Sequence, residues 1–472
     1  MQFSSQKKRS TDGYWINKNS YYYKRLASFY KFIIPQDSIV LQVGCRSGYL
    51  LNKVKPSFGL GLDSDLDYIQ EAQVKYSHLN FVCGNVSDLK KDEKFSKLKF
   101  DYIILSHTLM LKYDIQILLE NLKQFCTPRT RLIINICSNL WEPILKLGQI
   151  LSLRRNVPFK NWIQMADLEN FLNLASYEVV YKDYRTLVPK YIPLISELFN
   201  YGIANIPLIN RCCLDFFVVA RLQALAESIQ PLTCSVIVTC KNEKGNIRNA
   251  IAGIPKMGCK TEIIFVEGGS KDGTLEEIKA VVEECKNDSS FDIKYFIQSG
   301  KGKADAVRLG FSKAQGDVLM ILDGDLTVPP EELIKFWNAV IVGKGEFING
   351  VRLIYAMETG AMRFLNFIAN KLFGLGFSWV LNQRIRDTLC GTKVLFRSDW
   401  LKIEASRSFL GDVDPFGDFD LIFGAVKNNL KMIDMPVHYK ARTYGETQIR
   451  RFKHGLLLLK MSWIAFWKFK LR

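Results

Sequence analysis

Short apolar runs that end in polar, glycine-containing loops constrain the fold of this chain more than any other feature. In the first half they lie at 38–43, 58–62, 80–83, 100–105 and 131–136, and the pattern restarts at 235–239, 262–266 and 319–322. Helical patterns alternate with these runs, which is typical of βαβ units with a parallel sheet. The sequence therefore predicts an α/β fold class with two doubly wound domains.

Length and composition fit this organisation. The chain has 472 residues, too many for one ordinary domain, and its 48% apolar and 24% charged residues describe a globular protein with an ample core. We expect the first domain at 1–222, a linker at 223–232, the second domain at 233–445 and a basic amphipathic helix at 446–472.

The net charge of the chain indicates which kinds of binding partner to expect. The chain holds 64 Lys and Arg against 47 Asp and Glu, a net charge of +17. This excess predicts an anionic partner, and charge alone does not choose among phosphate ligands, anionic lipid and nucleic acid. No compact basic and aromatic nucleic-acid motif occurs, so we do not expect nucleic acid.

The cysteines and the terminal segments indicate the cellular compartment in which the protein is expected. The eleven cysteines form no CxxC pair, which favours reduced thiols over a disulfide framework or a zinc site. No apolar stretch follows the basic amino terminus, so a secretory signal is not expected. The most lipid-like stretch, 455–467, is interrupted by Lys460 and is shorter than the ~20 residues of a membrane span. We expect a cytoplasmic protein, either soluble or peripheral on the inner face of the membrane.

Two carboxylates follow the most apolar run of the second half, in LMILDGDLTVPPEE. Asp323 and Asp325 stand one residue apart at the carboxyl end of a predicted strand, where ligands bind in open α/β sheets. Hard cations such as Mg²⁺ prefer carboxylate oxygens and take one or two of them together with substrate phosphate. The alternative is a solvated turn, because Asp and Gly are common in turns anyway.

Strand ends in the first half also carry polar groups. A predicted strand runs into a turn from Gly44 to Gly48 and then a helix, an order that can cradle a nucleotide. Asp63 ends the next strand and suits a ribose diol. His107 follows a later strand, and it is either a general base or a structural hydrogen-bonding residue.

These residues resemble the class I S-adenosylmethionine-dependent methyltransferases, through VLQVGCRSGYL, GLDSD, FVCGNVSDL and FDYIILSHTL. The resemblance implies a Rossmann-like fold with S-adenosylmethionine as a cofactor. The cofactor-binding residues it implies are Gly44, Gly48, Asp63 and Asn85. The chain departs from the pattern at three positions, because Gln42 and Asn85 replace acidic residues and Arg46 replaces a glycine. An active methyltransferase and a scaffold that positions an acceptor are both compatible with this half.

The second half resembles glycosyltransferase family 2, of the GT-A fold, through SVIVTCKNEKGNI, EIIFVEGGSKDGT, GDVLMILDGDLTVPPEEL and DTLCGTKVLF. The resemblance implies a UDP- or GDP-linked nucleotide sugar as donor, with Mg²⁺ or Mn²⁺ held by Asp323 and Asp325. It implies further that the donor's base, ribose and phosphates are bound by Glu243, Glu267, Asp272 and Lys303. Turn and cap chemistry is the alternative for these residues, most of all for Asp272.

The late stretch MPVHYKARTYGETQIRRF resembles dolichol- and polyprenyl-phosphate sugar transferases. This implies a polyprenyl phosphate acceptor, with its phosphate held by Arg352, Arg363 and Arg442. A glycan hydroxyl acceptor needs a base instead, and Asp418 or Asp420 is the expected source, with Asp420 preferred. Asp387 supports the donor sugar or braces its loop. Either acceptor would displace the nucleotide directly and invert the anomeric centre.

The carboxyl-terminal stretch has apolar residues at helical spacing between basic flanks. An anionic membrane surface is one partner for such a helix, and the second domain is another. From a different class of function, the chain could also be a non-catalytic scaffold that retains two nucleotide-binding folds.

Overall fold

A computed structural model describes residues 12–112, 114–157, 161–223, 231–287, 291–355, 364–409, 414, 417–445 and 451–471. The chain forms two compact units. The first comprises residues 1–223 with 470–472, and the second comprises residues 224–469. The exact residues at which the predicted domains and linker begin and end remain a prediction.

The first unit contains a seven-stranded sheet. Its strands are β1 Ile39–Val43, β2 Phe58–Asp63, β3 Asn80–Cys83, β4 Tyr102–Ser106, β5 Arg131–Cys137, β6 Tyr177–Arg185 and β7 Asp215–Leu222. They lie in the order β3-β2-β1-β4-β5-β7-β6. The first five are parallel, whereas β7 is antiparallel to both β5 and β6. The order reverses between β1 and β4, and this switch point opens a crevice at the carboxyl ends of the strands.

Helices cover both faces of this sheet, and each face has its own apolar core. The α-helices are Asp12–Lys18, Ser20–Ile33, Tyr49–Val54, Leu66–Lys75, Val86–Leu89, Ile115–Leu122, Glu142–Ile150, Met165–Leu174 and Ile195–Glu197. β5 is buried along its whole length, because helices pack on both of its faces.

The second unit repeats the architecture with seven strands of its own. They are β8 Thr233–Cys240, β9 Lys260–Glu267, β10 Asp292–Ile297, β11 Val318–Asp323, β12 Phe347–Val351, β13 Lys393–Phe396 and β14 Met432–Pro436. Their order is β10-β9-β8-β11-β13-β12-β14, with β13 antiparallel to its neighbours β11 and β12. Here the switch point lies between β8 and β11, so the loops after these two strands meet.

The α-helices of this unit are Ile247–Gly253, Thr274–Glu284, Lys303–Lys313, Leu333–Ile341, Phe364–Leu381, Arg397–Ala405, Asp418–Lys427 and Arg451–Ala465. Among the described residues, no helix is long and apolar enough to cross a membrane. The predicted class, α/β with two doubly wound sheets, is confirmed.

Candidate active site

The two carboxylates of the second unit lie at its switch point, and each faces a cation from another part of the chain. Asp323 ends β11, and its Oδ1 lies 2.6 Å from Nζ of Lys303. Asp325 Oδ2 accepts a hydrogen bond from Nη2 of Arg442 at 2.6 Å. Thr327 holds the other oxygen of Asp325 with its backbone N–H at 3.2 Å and its hydroxyl at 2.9 Å. Both predicted metal ligands thus share one small region with two predicted phosphate-binding cations.

Lys303 and Asp323 stabilise each other's charged form. Burial alone would lower the pKa of Lys303, but the Asp323 carboxylate and the nearby Asp418 outweigh it, so that pKa is raised. Burial would raise the pKa of Asp323, but Lys303 outweighs that effect and the pKa is lowered. A partly buried lysinium beside a carboxylate keeps its positive charge, as a phosphate-binding group needs.

Gly391 packs against this pair. A Cβ at this position would lie 2.0 Å from Oδ2 of Asp323 and 2.2 Å from Nζ of Lys303. At either distance a side chain at this position would force Asp323 or Lys303 to move, so the glycine of DTLCGTKVLF makes room for the ion pair. The quoted motif contained this residue, but the sequence alone did not indicate its contact.

Glu243, in the loop after β8, is the third acidic group here. Its Oε1 lies 3.2 Å from Nη1 of Arg442, and its Oε2 accepts a hydrogen bond from Asn246 at 2.8 Å. Burial raises the pKa of Glu243 to about 7; the Arg442 guanidinium opposes this rise, and Asp325 adds to it. Arg442 therefore bridges Glu243 and Asp325, two residues with predicted roles in donor and metal binding.

Asp272 and Glu267 shape the loop after β9. Asp272 accepts hydrogen bonds from the backbone N–H of Lys244 at 3.2 Å and from the hydroxyl of Tyr444 at 3.2 Å. Glu267 is buried and accepts from the backbone N–H of Ser270 at 2.5 Å. Turn chemistry accounts for these contacts, and the predicted roles of both residues in donor binding stay predictions.

Residues 442–445, named the closing segment below, reach several of these loops. Arg442 contacts Asp325 and Glu243, and Tyr444 contacts Asp272. The Tyr444 ring also packs so closely on Gly245 that a Cβ there would lie 2.7 Å from it. This one segment connects the loops that follow β8, β9 and β11.

Arg352 and Asp387 form a bidentate ion pair away from solvent. Arg352 donates from Nε and Nη2 to the two Asp387 oxygens, each at 2.8 Å, and its guanidinium lies 5.1 Å from the Tyr439 ring centre. Burial would raise the pKa of Asp387, but Arg352 outweighs it and the pKa is lowered. In this arrangement Asp387 braces Arg352. Their predicted roles with acceptor and donor stay predictions, and the third predicted acceptor residue, Arg363, lies outside the described residues.

Two acidic residues of the helix Asp418–Lys427 point in different directions. Asp418 is buried and lies 3.3 Å from Nζ of the fully buried Lys393. Asp420 instead pairs with Arg308 at 3.5 Å and Arg407 at 3.9 Å. Because residues two apart on a helix do not share a face, only one of them can face the Lys303 region. Asp418 is that residue, since it contributes to the raised pKa of Lys303.

The glycine turn of the first unit has the expected shape. Gly44 and Gly48 both have positive φ, 72° and 74°, and Arg46 between them has φ of 48°. Asp63 accepts a hydrogen bond from the backbone N–H of Arg46 at 2.8 Å, and a second from the N–H of Asp65 at 3.1 Å. The predicted cofactor residues of β1 and β2 therefore meet.

A carboxylate from the amino-terminal helix enters this turn. Asp12 is buried and accepts a hydrogen bond from the hydroxyl of Ser47 at 2.7 Å. Guanidinium groups of Arg46 and Arg155 lie 3.9 and 3.7 Å from its other oxygen. Asn85 lies after β3, where its side chain and Asp88 form a capping box for a short helix. Its predicted contact with a cofactor stays a prediction.

His107 lies in a polar network at the carboxyl ends of β4 and β5. Its Nε2 is 3.0 Å from Oδ1 of Asp215, 3.3 Å from the Tyr22 hydroxyl and 3.1 Å from Nδ2 of Asn135. The ligand atoms of His107, Cys137 and Asp215 lie within 4.8 Å of one another. The hydrogen bonds favour the structural interpretation of His107.

Comparison with known proteins agrees with the two halves of the chain. Residues 27–139 match the family model described as methionine biosynthesis protein MetW, and residues 235–403 match glycosyl transferase family 2. The second half of the chain carries a glycosyltransferase family 2 domain. Both recognised resemblances are confirmed.

Similar curated proteins include lipid-phosphate sugar transferases. A dolichol-phosphate mannosyltransferase of Saccharomyces cerevisiae is 35% identical over 112 residues, which is 22% of this chain and 40% of the yeast protein. The glycosyltransferase AglJ of Haloferax volcanii is 26% identical over 48% of this chain and 69% of its own length. The matched region thus spans less than half of the yeast relative.

Among solved structures, the glycosyltransferase domain is similar to glucosyl-3-phosphoglycerate synthase from Mycobacterium tuberculosis in complex with Mn²⁺, UDP and glucosyl-3-phosphoglycerate. The likeness has a TM-score of 0.37 at 15% identity, and it covers 50% of this chain and 80% of that one.

Proposed function

We propose that the glycosyltransferase domain moves a sugar from a UDP- or GDP-linked donor to a lipid-phosphate or glycan acceptor, with inversion. One observation carries this proposal: Asp323 and Asp325 meet Lys303 and Arg442 at the switch point. Departure of a nucleoside diphosphate develops negative charge on the leaving group, and preorganised cations beside it lower the barrier. The lipid-phosphate sugar transferases among the relatives support the choice of acceptor.

The donor set fits a hard divalent cation. Asp323 and Asp325 offer carboxylate oxygens, and Lys303 contacts Oδ1 of Asp323. Asp325 and Asp323 would hold Mg²⁺ or Mn²⁺, which when bound supplies charge neutralisation for the leaving diphosphate. The chain itself supplies Lys303 and Arg442, which lie beside the two carboxylates where the diphosphate would bind.

The acceptor decides whether a base is needed. A polyprenyl phosphate oxygen is already an anion, and it needs orientation by arginines such as Arg442 and Arg352. A hydroxyl acceptor must lose a proton. For that step Asp418 is better supported than Asp420, because it contributes to the raised pKa of Lys303, whereas Asp420 pairs with Arg308.

The substitution Asp325→Ala tests the proposal. We expect loss of divalent-dependent hydrolysis of, or transfer from, a nucleotide sugar, because a metal ligand and the partner of Arg442 are both removed. A coupled assay for released nucleoside diphosphate measures it, with Mn²⁺ and Mg²⁺ tested beside EDTA. Wild-type activity in the variant would remove Asp325 from the mechanism.

Membrane association belongs to the same proposal. On the carboxyl-terminal helix Leu456, Leu459 and Trp463 are exposed, and Trp467 continues the same stripe. Exposed apolar and aromatic residues at helical spacing suit the interface of an anionic membrane, where a lipid-phosphate acceptor resides.

For the first unit we propose a methyltransferase-like module in which S-adenosylmethionine binding is weak, because Arg46 and Asp12 enter the glycine turn.

A further inference from the structure

Two copies of the tetrapeptide Ile-Pro-Leu-Ile lie in the first unit, at 192–195 and 206–209. In both copies the leucine has a positive φ, 63° at Leu194 and 75° at Leu208. At the first copy the backbone N–H of Ile195 donates to the carbonyl of Pro193 at 2.7 Å, which closes a three-residue turn. Bulky side chains disfavour positive φ, where glycine or asparagine is usual. The backbone is therefore strained at the same residue of both copies.

The strained leucines are among the most exposed apolar side chains of the described residues. Leu194 is 82% exposed and Leu208 is 73% exposed. The isoleucines of both copies are exposed too, at 192, 195, 206 and 209. The stretch between the copies is anchored, because Oδ1 of the buried Asn200 accepts from the backbone N–H groups of Leu187 and Val188 at 2.8 and 3.0 Å. The exposed leucine and isoleucine side chains therefore extend from an anchored stretch of backbone.

A second apolar element adjoins the tetrapeptides. The helix Glu142–Ile150 has no buried residue, although Ile144, Leu147 and Ile150 recur on it at three-residue spacing. Ile150 is 79% exposed. A helix of this pattern normally turns its apolar stripe toward a core, so the exposed stripe is the unusual feature.

Hydrogen bonds connect this helix to the tetrapeptide segment at both ends. Before the helix, Nε1 of Trp141 donates to the carbonyl of Cys212 at 2.8 Å. After it, Nζ of Lys18 donates to the carbonyl of Ser152 at 2.7 Å, and Nζ of Lys190 donates to the carbonyl of Lys18 at 3.2 Å. These hydrogen bonds link the segments that carry the helix and both tetrapeptides, and we name their exposed apolar residues together the Ile-Leu surface.

Basic residues border the Ile-Leu surface. Lys18 and Lys190 lie at one end, Arg211 follows the second tetrapeptide, and Lys146 lies on the helix. The acidic residues of the two segments are Glu142, which pairs with Lys146 at 2.7 Å, and Glu197. Apolar side chains inside a cationic border match the acyl chains and anionic headgroups of a lipid leaflet.

We propose that the Ile-Leu surface docks the first unit on an anionic lipid bilayer, with Leu194 and Leu208 inserted among the acyl chains. This contact involves other residues than the carboxyl-terminal helix that is proposed above to meet a membrane. The choice of a bilayer over a protein partner rests on the cationic border and on the lipid-phosphate acceptor of the proposed function.

Sedimentation of the full chain with vesicles tests this inference. The vesicles are phosphatidylcholine with and without phosphatidylglycerol. The variant is Leu194→Asn with Leu208→Asn, because asparagine replaces each exposed apolar side chain by a polar one of similar size, and thermal unfolding checks that the variant folds. Val74→Asn is the matched control, since Val74 is 88% exposed on another helix of the same unit. We expect the double variant to bind phosphatidylglycerol vesicles at least about tenfold more weakly, the control to bind normally, and added salt to weaken the wild type.

Three results would overturn the inference. The double variant could bind vesicles as tightly as the wild type. Its unfolding temperature could fall, which would assign the leucines to packing. The wild type could self-associate through these leucines without binding vesicles, which would make a second copy the occupant. Nucleotide-sugar binding by the wild type is measured in parallel without lipid, and its absence would count against the proposed function rather than against this surface.

Discussion

At the scale of single residues, the phase of one helix separates two carboxylates that the sequence presents as equivalent. Asp418 faces Lys393 and contributes to the charge around Lys303, whereas Asp420 pairs with Arg308 and Arg407. The motif FGDFD indicates that a base is available, but it does not indicate which aspartate faces inward. Helical phase relative to the sheet depends on packing, and packing is not readable from five residues.

Paired substitutions at these two positions test the assignment. With a hydroxyl acceptor we expect Asp418→Asn to lower kcat about 10²-fold or more, because a general base is lost. We expect Asp420→Asn, the matched control, to retain activity within about threefold, because Asp420 pairs with Arg308 and Arg407 instead of facing Lys303. Steady-state kinetics measure both, and thermal unfolding checks that each variant folds. The reverse ranking would return the role to Asp420.

Glu243 gives the second unit a pH dependence with a definite sign. Burial raises its pKa to about 7, above the ordinary value of 4.5 that it regains when unfolded. Between these values the folded state holds a proton that the unfolded state has released, so the free energy of unfolding falls as pH rises. We expect wild type to lose stability relative to Glu243→Gln between about pH 5 and pH 8. Denaturant unfolding of both proteins across this range measures it, and parallel profiles would contradict the assignment.

At the scale of elements, the strand and helix pattern is predictable because its cause is local. The apolar runs became strands that begin or end within about two residues of the predicted limits, as at β2 and β11. The carboxyl ends of parallel strands meet by topology, so the meeting of Asp323 with the loop of Glu243 could also be predicted. Contacts made by distant loops could not. The closing segment and Gly391 reach the site from strands that join the sheet antiparallel or at its edge.

Gly391 offers a test at this scale, because it lies in a loop that must pass close to an ion pair. We expect Gly391→Ala to abolish nucleotide-sugar binding, since a methyl group would displace Asp323 and Lys303. Gly376→Ala is the control, because a Cβ there meets nothing within 4 Å. In a helix interior that change should stabilise by about 0.5–1 kcal/mol. Calorimetric titration with UDP- and GDP-sugars measures binding, and normal affinity in Gly391→Ala would show that the loop can move aside.

At the scale of the whole molecule, the two units have similar sheets, but the residues at their switch points differ in how well they suit catalysis. The second unit keeps its acidic and basic groups together at the switch point. In the first unit the corresponding crevice receives Arg46 and the internal carboxylate of Asp12. The sequence indicated Arg46 as a departure, but it could not indicate Asp12, because that residue lies 34 positions earlier in a separate helix.

We expect weak or absent binding of S-adenosylmethionine by the wild-type chain, and improved binding by Arg46→Gly. The substitution removes a guanidinium that repels a sulfonium cation, and glycine accepts the φ of 48° without strain. Lys55→Gly is the matched control, since Lys55 is an exposed residue with φ of 53° after the next helix. Thermal shift with S-adenosylmethionine measures both variants. Tight binding by the unmodified protein would contradict the expectation.

The internal ion pairs of the glycosyltransferase domain have a consequence for how its donor enters. Lys303 and Arg442 are already neutralised by Asp323 and Asp325, so an incoming metal-diphosphate does not meet an uncompensated field. Under the proposed function, donor binding would be an exchange of partners, in which the lysine and arginine contact phosphate and the carboxylates hold the metal. Such a swap leaves the local charge nearly constant. Donor affinity should therefore vary little with ionic strength, unlike the proposed binding of the same protein to anionic lipid.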